Sequence, residues 1–232
     1  MIELRRVRKT FHIKNKNQRR LVLNGVSHIF EPGRNTGILG RNGAGKSTLI
    51  NIIGGNEPPD SGQVIRSSRL SWPIGFSGCF HSHLTGRENL RFVCRIYGAP
   101  IKKVTDFVAD FSELGPYMDI PVKTYSSGMS AKLAFGLSMA MEFDFYLIDE
   151  VTAVGDASFK AKAQKVFEER RGRATLLVVS HSIQTIKTYC QEALVLDQGE
   201  LKPFPDMDQA IEHYQQICRT PAVFQMTGTD GR

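Results

Sequence analysis

Short apolar runs, separated by turn-forming clusters, divide the chain into a succession of strands and helices. Ile2 to Val7 reads as a first strand, Val22 to Phe30 as a second element after a polar loop, and Thr36 to Leu39 as a third. A helix-like stretch, Thr48 to Ile53, follows and stops at Gly54-Gly55. Glu57-Pro58-Pro59-Asp60-Ser61-Gly62 has turn chemistry and leads into a short strand around Val64 and Ile65. Thr85-Gly86-Arg87-Glu88 puts threonine at an N-cap and glutamate three residues on, the capping-box pattern, and opens a helix from Asn89 to Ile96. A mostly helical insert continues, with Lys102 to Glu113 as its next helix, to Pro121. Beyond it the pattern alternates: helix over Met129 to Met141, strand over Phe143 to Ile148, helix over Ser158 to Arg171, strand over Thr175 to Val179, helix over Ile183 to Cys190. Ala193 to Leu196 and Glu200-Leu201, joined by Asp197-Gln198-Gly199, look like a closing hairpin, and Asp208 to Cys218 a last helix. Residues 219 to 232 read as a frayed tail. Alternating units that end in continuous apolar runs predict an α/β fold with a layered, largely parallel sheet.

With 232 residues, 41% of them hydrophobic, the chain suits one sizeable α/β domain. No run of about 18 apolar residues is present and the N-terminus lacks a signal-peptide core, so the chain is expected to be soluble and unexported. Cys79, Cys94, Cys190 and Cys218 are scattered without metal-ligand spacing, which indicates neither zinc nor a disulfide framework and fits a reducing cytosol. The net charge of +7 raises the question of nucleic acid. Its densest stretch, Lys14 to Arg20, has no aromatic interleaving, and reads first as a solvated loop and second as a contact for membrane headgroups or an anionic substrate.

Gly40-Arg41-Asn42-Gly43-Ala44-Gly45-Lys46-Ser47 changes this picture, because G-x-x-x-x-G-K-S directly after Ile38-Leu39 and before a helix is a phosphate cradle. Glycines at 40, 43 and 45 let successive backbone N–H groups face one polyphosphate, and the helix opening through Thr48 presents its positive end. Lys46 would reach the β- and γ-phosphates and Ser47 would ligate Mg²⁺. Phe145 to Ile148 then delivers Asp149 and Glu150 at the end of a strand, where ligands of open α/β sheets sit. The first acid would hold the Mg²⁺ shell, and the second would orient or deprotonate the attacking water. Val178-Val179-Ser180-His181 ends another strand with a polar pair; a histidine there can bond a γ-phosphate and sense its loss, or serve the strand end alone. Tyr125-Ser126-Ser127-Gly128-Met129, taken by itself, is an N-capped helix start.

The cradle, Tyr125 to Met129, Asp149-Glu150, Asp156 and His181 follow in the order and at about the spacing of the ATP-binding cassette (ABC) ATPase family, which roughly residues 1 to 200 resemble. The resemblance implies a P-loop NTPase sheet of ABC type, an antiparallel β-subdomain, and a helical subdomain near residues 84 to 140, all in one domain over residues 1–218. ATP and Mg²⁺ are the implied ligands, with Glu150 and His181 catalytic. Two copies would pair head to tail, so that Ser126 and Gly128 of one close over the ATP held by Gly40 to Ser47 of the other. Phe11 matches the aromatic that stacks on adenine, and by itself reads equally as a strand-end core residue; Asp156 matches a loop acid at the dimer seam.

A narrower likeness is carried by Ser71-Trp72-Pro73, Leu84 to Asn89, Tyr125 to Met129 and the run Asp149-Glu150-Val151-Thr152-Ala153-Val154-Gly155-Asp156. These resemble the ATP-binding subunits of Gram-negative capsular polysaccharide exporters. The last run is shared with O-antigen and teichoic-acid export subunits, which often carry an extra C-terminal domain for which this chain leaves no room. Integral-membrane permease partners, a peripheral place on the cytoplasmic face of the inner membrane, and no nucleic acid are implied. Two departures stand out: Met129 and Ser127 replace the usual Gln and first Gly of the signature, and residues 70 to 85 contain no Gln, for which His81 and Ser77 are candidate substitutes. A non-transport ABC protein acting on ribosomes or DNA generally has two cassettes or long coiled coils, neither of which is seen. A small-molecule kinase would use only the cradle.

Overall fold

The computed structural model describes residues 1–13, 18–74, 80–149, 157–220 and 226–227. The chain forms two compact units: Met1–Pro73 with Asp144–Val151 and Ala174–Arg232, and Ile74–Phe143 with Thr152–Arg173.

In the first unit, β1 (Ile2–Ile13) and β2 (Gln18–Phe30) make a long antiparallel pair. β4 (Ser61–Arg66) lies on the other side of β1, and β9 (Met226–Thr227) on the other side of β2. β1 runs well past Val7, the predicted end. Its pairing carries register shifts between Leu4 and Thr10, and Arg6 adopts φ 48°, so the alternation that marks a strand is broken while the ladder continues. Gln18 to Arg20, expected in a loop, belong to β2. Met226 and Thr227, in the tail expected to fray, pair with Arg20 and Arg19.

The second sheet has the order β5 (Phe145–Asp149), β6 (Thr175–Ser180), β3 (Thr36–Leu39), β7 (Glu192–Asp197), β8 (Glu200–Pro203). The first four strands are parallel, and β7 and β8 form the predicted antiparallel hairpin. β3 and β6 are buried at every position, which is why they read as unbroken apolar runs. α1 (Lys46–Gly54) packs on β5 and β6, α6 (Ile183–Tyr189) on β3 and β6, and α7 (Met207–Arg219) on β7. Leu49, Ile50, Ile52 and Ile53 of α1 are fully buried in one core with Ile2 and Leu4 of β1, Leu23 of β2 and Leu147 of β5. Each such side chain contributes about 2 kcal/mol relative to exposure.

The second unit holds α2 (Gly86–Tyr97), α3 (Ile101–Ser112), α4 (Ser127–Ala140) and α5 (Ala157–Arg171). α5 belongs to the same unit although it follows β5 in the chain. The capping box of α2 forms as read: Glu88 N–H donates to Thr85 Oγ1 at 3.1 Å, and Thr85 N–H donates to Glu88 Oε2 at 2.8 Å. Val104, Val108 and Phe111 give α3 a buried stripe at helical spacing, and Phe111 meets the rings of Phe135 and Phe159 at 5.7 and 5.1 Å. Among the described residues, no helix is long and apolar enough to cross a membrane.

Candidate nucleotide site

The loop Gly40 to Ser47 leaves the central strand β3 and opens α1, with Gly45 at the N-cap in φ 107°. No side chain caps this helix and no acid lies in its first turn, an arrangement whose N-terminal amides and positive dipole end suit an anion. Lys46 Nζ folds back over the loop, donating to the carbonyls of Gly40 at 2.7 Å and Arg41 at 3.1 Å, while Ala44 N–H donates to Arg41 O at 3.0 Å.

Phe11, Val22, Asn42, Gly43, Gly45, Lys46, Ser47, Thr48 and Asp149 line a single open cleft of about 700 Å³, together with Arg20. Asp149 closes β5 opposite Val179, in register with the strand ends that lead to the loop and to His181. Ser47 and Asp149 thereby offer hard oxygen donors on one cleft, a set that suits Mg²⁺, which takes one or two protein oxygens and completes its shell with phosphate and water. Phe11 is 41% exposed, which sets aside the core alternative and leaves its ring free for stacking, with Lys9 Nζ 5.4 Å from the ring centre.

Arg20 and Val22 were not read as site residues. They lie two apart on β2 and so share a face, and the Arg20 guanidinium donates to Gly43 O. The period-2 pattern Arg20-Val22 was the available signal, hidden by the basic run before it. The Arg41 side chain turns to the end of α7, donating to Ile217 O at 3.3 Å and Thr220 O at 2.5 Å. Its carbonyl accepts from Lys46 Nζ and Ala44 N–H within the loop.

His181 follows β6, is exposed, and does not line the cleft; its carbonyl accepts from Tyr214 Oη at 3.2 Å. Ser126 and Gly128 lie in the other unit, exposed at the start of α4, where Ser126 Oγ accepts from Met129 N–H at 3.2 Å. The N-capped helix start is therefore present, with its small residues outward. His81 is exposed, and its main chain is clasped by the buried Asn89, which accepts from His81 N–H at 2.8 Å and donates to His81 O at 3.1 Å. Glu150, Asp156 and Ser77 lie outside the described residues. Among the described residues, no group of three or more His, Cys, Asp or Glu could hold a metal ion.

A glycine-rich loop between a buried parallel strand and a helix, with a carboxylate ending a strand of the same sheet, defines a nucleoside-triphosphate-binding α/β protein. Residues 23–153 match the family described as ABC transporter, and the chain belongs to that family. It is 54% identical over 199 residues to the capsule polysaccharide export ATP-binding protein CtrD of Neisseria meningitidis serogroup B, covering 85% of this chain and 92% of that one. It is 47% identical over 219 residues to the polysialic acid transport ATP-binding protein KpsT of Escherichia coli, covering 93% and 99%. The ATP-binding cassette MJ0796, solved as a dimer in a post-hydrolysis state bound to ADP and Pi, shares the fold with a TM-score of 0.70 at 22% identity, over 89% of this chain and 99% of that one.

Proposed function

We propose that the chain is the ATP-binding and ATP-hydrolysing subunit of an ABC exporter that moves capsular polysaccharide across the inner membrane. It works as a homodimer, peripheral on the cytoplasmic face and docked on integral-membrane permease subunits. The observation that carries this reading is the cleft in which Phe11, the Lys46 loop and Asp149 meet. The polymer is inferred from the likeness to a capsule polysaccharide export protein.

Phe11 stacks on adenine, the loop amides and Lys46 hold the phosphates, and Ser47 and Asp149 hold Mg²⁺, which neutralises charge on the phosphate oxygens. Glu150 accepts a proton from the attacking water as its oxygen bonds the γ-phosphorus and the bond to the bridging oxygen of ADP breaks. His181 contacts the γ-phosphate. Ser126 and Gly128 of a second copy close the site, and the closed and open dimers drive the permease by a population shift.

The test is ATP turnover by the purified chain and by Lys46→Ala and Glu150→Gln, with capsule complementation in a strain lacking the gene. Lys46→Ala is expected to lose nucleotide binding. Glu150→Gln keeps binding, loses about 10²- to 10³-fold in turnover, and accumulates as a dimer with ATP. Wild-type turnover in both variants, or a capsule restored by Lys46→Ala, refutes the reading; restoration of a different surface polymer refutes the assignment of cargo alone.

A further inference from the structure

α7 is fastened to both segments that carry the phosphate chemistry. At its C-terminal end, where a cation is favoured by the dipole, Arg41 of the cradle donates to the carbonyl of Thr220 and to that of Ile217, which also accepts from Thr220 N–H. One helical turn back from Ile217, the Tyr214 hydroxyl donates to the carbonyl of His181 at 3.2 Å. At the other end, Asp206 caps the helix by accepting from Gln209 N–H at 2.8 Å, and Asp208 pairs at 3.1 Å with Lys187 of α6, the helix that follows His181. Tyr214 is 7% exposed. Burial first, and then its hydrogen bond with Cys218, push the phenol up to about 12, so it stays a protonated donor at neutral pH.

A hydrogen bond to the His181 carbonyl fixes the peptide plane between His181 and Ser182. The next residue helps from the other side, since Ser182 N–H donates to Ser180 Oγ at 2.9 Å. With that plane held, the backbone from which the exposed His181 side chain leaves is restrained as well. α7 itself rests on β7, a neighbour of β3, so it supplies a rigid reference shared with the cradle.

We propose that α7 is a strut that sets His181 at a fixed orientation relative to the phosphate cradle, with Tyr214 as the positioning residue and Arg41 as the bolt at the cradle end. The proposal rests on His181 contacting the γ-phosphate. Tyr214 does not line the cleft, so its removal alters the orientation of a catalytic group and not ground-state binding.

The experiment is steady-state ATP hydrolysis by the full chain carrying Tyr214→Phe, in the wild-type and the His181→Ala backgrounds, with thermal melts of each. In the wild type, loss of the hydroxyl, and with it the bond to the His181 carbonyl, lowers kcat about fivefold and leaves KM for ATP within about twofold. In His181→Ala, which keeps the carbonyl but has no imidazole to orient, Tyr214→Phe produces no further loss. An unchanged kcat in the first background, or an equal loss in both, overturns the strut. Wild-type turnover by His181→Ala instead overturns the role given to His181, a separate failure. Arg41→Ala should lower kcat in the same way and Arg41→Lys, which keeps a cationic donor, should recover part of it; equal activity of the two would overturn Arg41 as the bolt.

Discussion

Gly45→Ala puts the geometry of the cradle to its sharpest test. Gly45 adopts φ 107°, beyond the left-handed region that other residues visit, and a Cβ there would stand 2.7 Å from Val22 Cγ1 and 3.1 Å from Val22 O. The backbone strain costs about 1 to 3 kcal/mol, and forcing a methyl against a strand that is itself packed costs about as much again. Together these amount to about 2 to 6 kcal/mol, against a stability of about 5 to 15 kcal/mol for a domain. The fold should therefore survive with a lower urea midpoint. The chain can relieve the strain by moving the loop off Val22, and Val22 lines the same cleft as Gly45, so the relief is taken from the binding geometry. ATP affinity, measured by calorimetry, should fall at least about tenfold, which corresponds to only about 1.4 kcal/mol of the strain. Adding Val22→Ala removes the contact with Cγ1 but not the φ strain or the contact with Val22 O, and should recover part of the loss. An unshifted midpoint with ATP affinity within about twofold of wild type would show that Gly45 does not hold the conformation and contacts described.

Gly128→Ala should separate folding from function the other way. Position 128 is in the first turn of α4, its φ is not positive, and the nearest atom to an added Cβ is Ser126 Oγ at 3.8 Å, so stability should hold or rise by about 0.5 to 1 kcal/mol while ATP-dependent dimerisation and turnover fall. Unchanged turnover would remove Gly128 from the composite site. His28 supplies a pH dependence: burial holds its pKa below the usual 6.5, with Glu192 opposing and Arg34 assisting. The folded chain then binds fewer protons there than the unfolded chain, so its contribution is full above 6.5 and declines as the pH drops below 6.5 towards the folded value. Replacing it by Gln should shrink the difference between urea midpoints taken at about pH 7.5 and about pH 5.5; an unchanged difference would refute the assignment.

The elements that were legible in the sequence are those whose local chemistry and tertiary role agree. β3, the cradle and α1 form one continuous signal, and the capping box at Thr85 and the hairpin at Asp197 to Gly199 form as read because each is decided within a few residues. β1 was legible only as far as Val7 because its later positions answer to distant partners. Lys9, polar by type, is 7% exposed, with Nζ bonded to Pro58 O at 2.8 Å and paired with Glu57 and Asp60 of the turn before β4. A pattern of types cannot place such a lysine inside. In the candidate site, Lys46, Ser47 and Asp149 were found by motif, whereas Arg20 was hidden in a charged run and the side chain of Arg41 was masked by the motif itself. The motif specifies backbone amides at that position and leaves the side chain free to bond α7.

Ser71-Trp72-Pro73 shows how a marker of resemblance acquires a physical role. β5, which ends in Asp149, is the edge strand of its sheet, and an edge exposes unpaired backbone groups. The segment around Ser71 covers that edge: Ser71 N–H donates to Phe145 O at 2.9 Å, Ser71 Oγ accepts from Leu147 N–H at 2.9 Å and donates to Trp72 O at 2.7 Å, and Phe145 N–H reaches Arg69 O at 3.2 Å. Ser71 is 1% exposed, so its hydroxyl replaces a strand neighbour that the sheet does not have. An alanine there would keep the Ser71 N–H bond but strand the Leu147 N–H in the core. The place of Asp149 in the cleft thus depends on a serine far away in sequence, whose single hydroxyl completes the edge of the strand that carries the carboxylate.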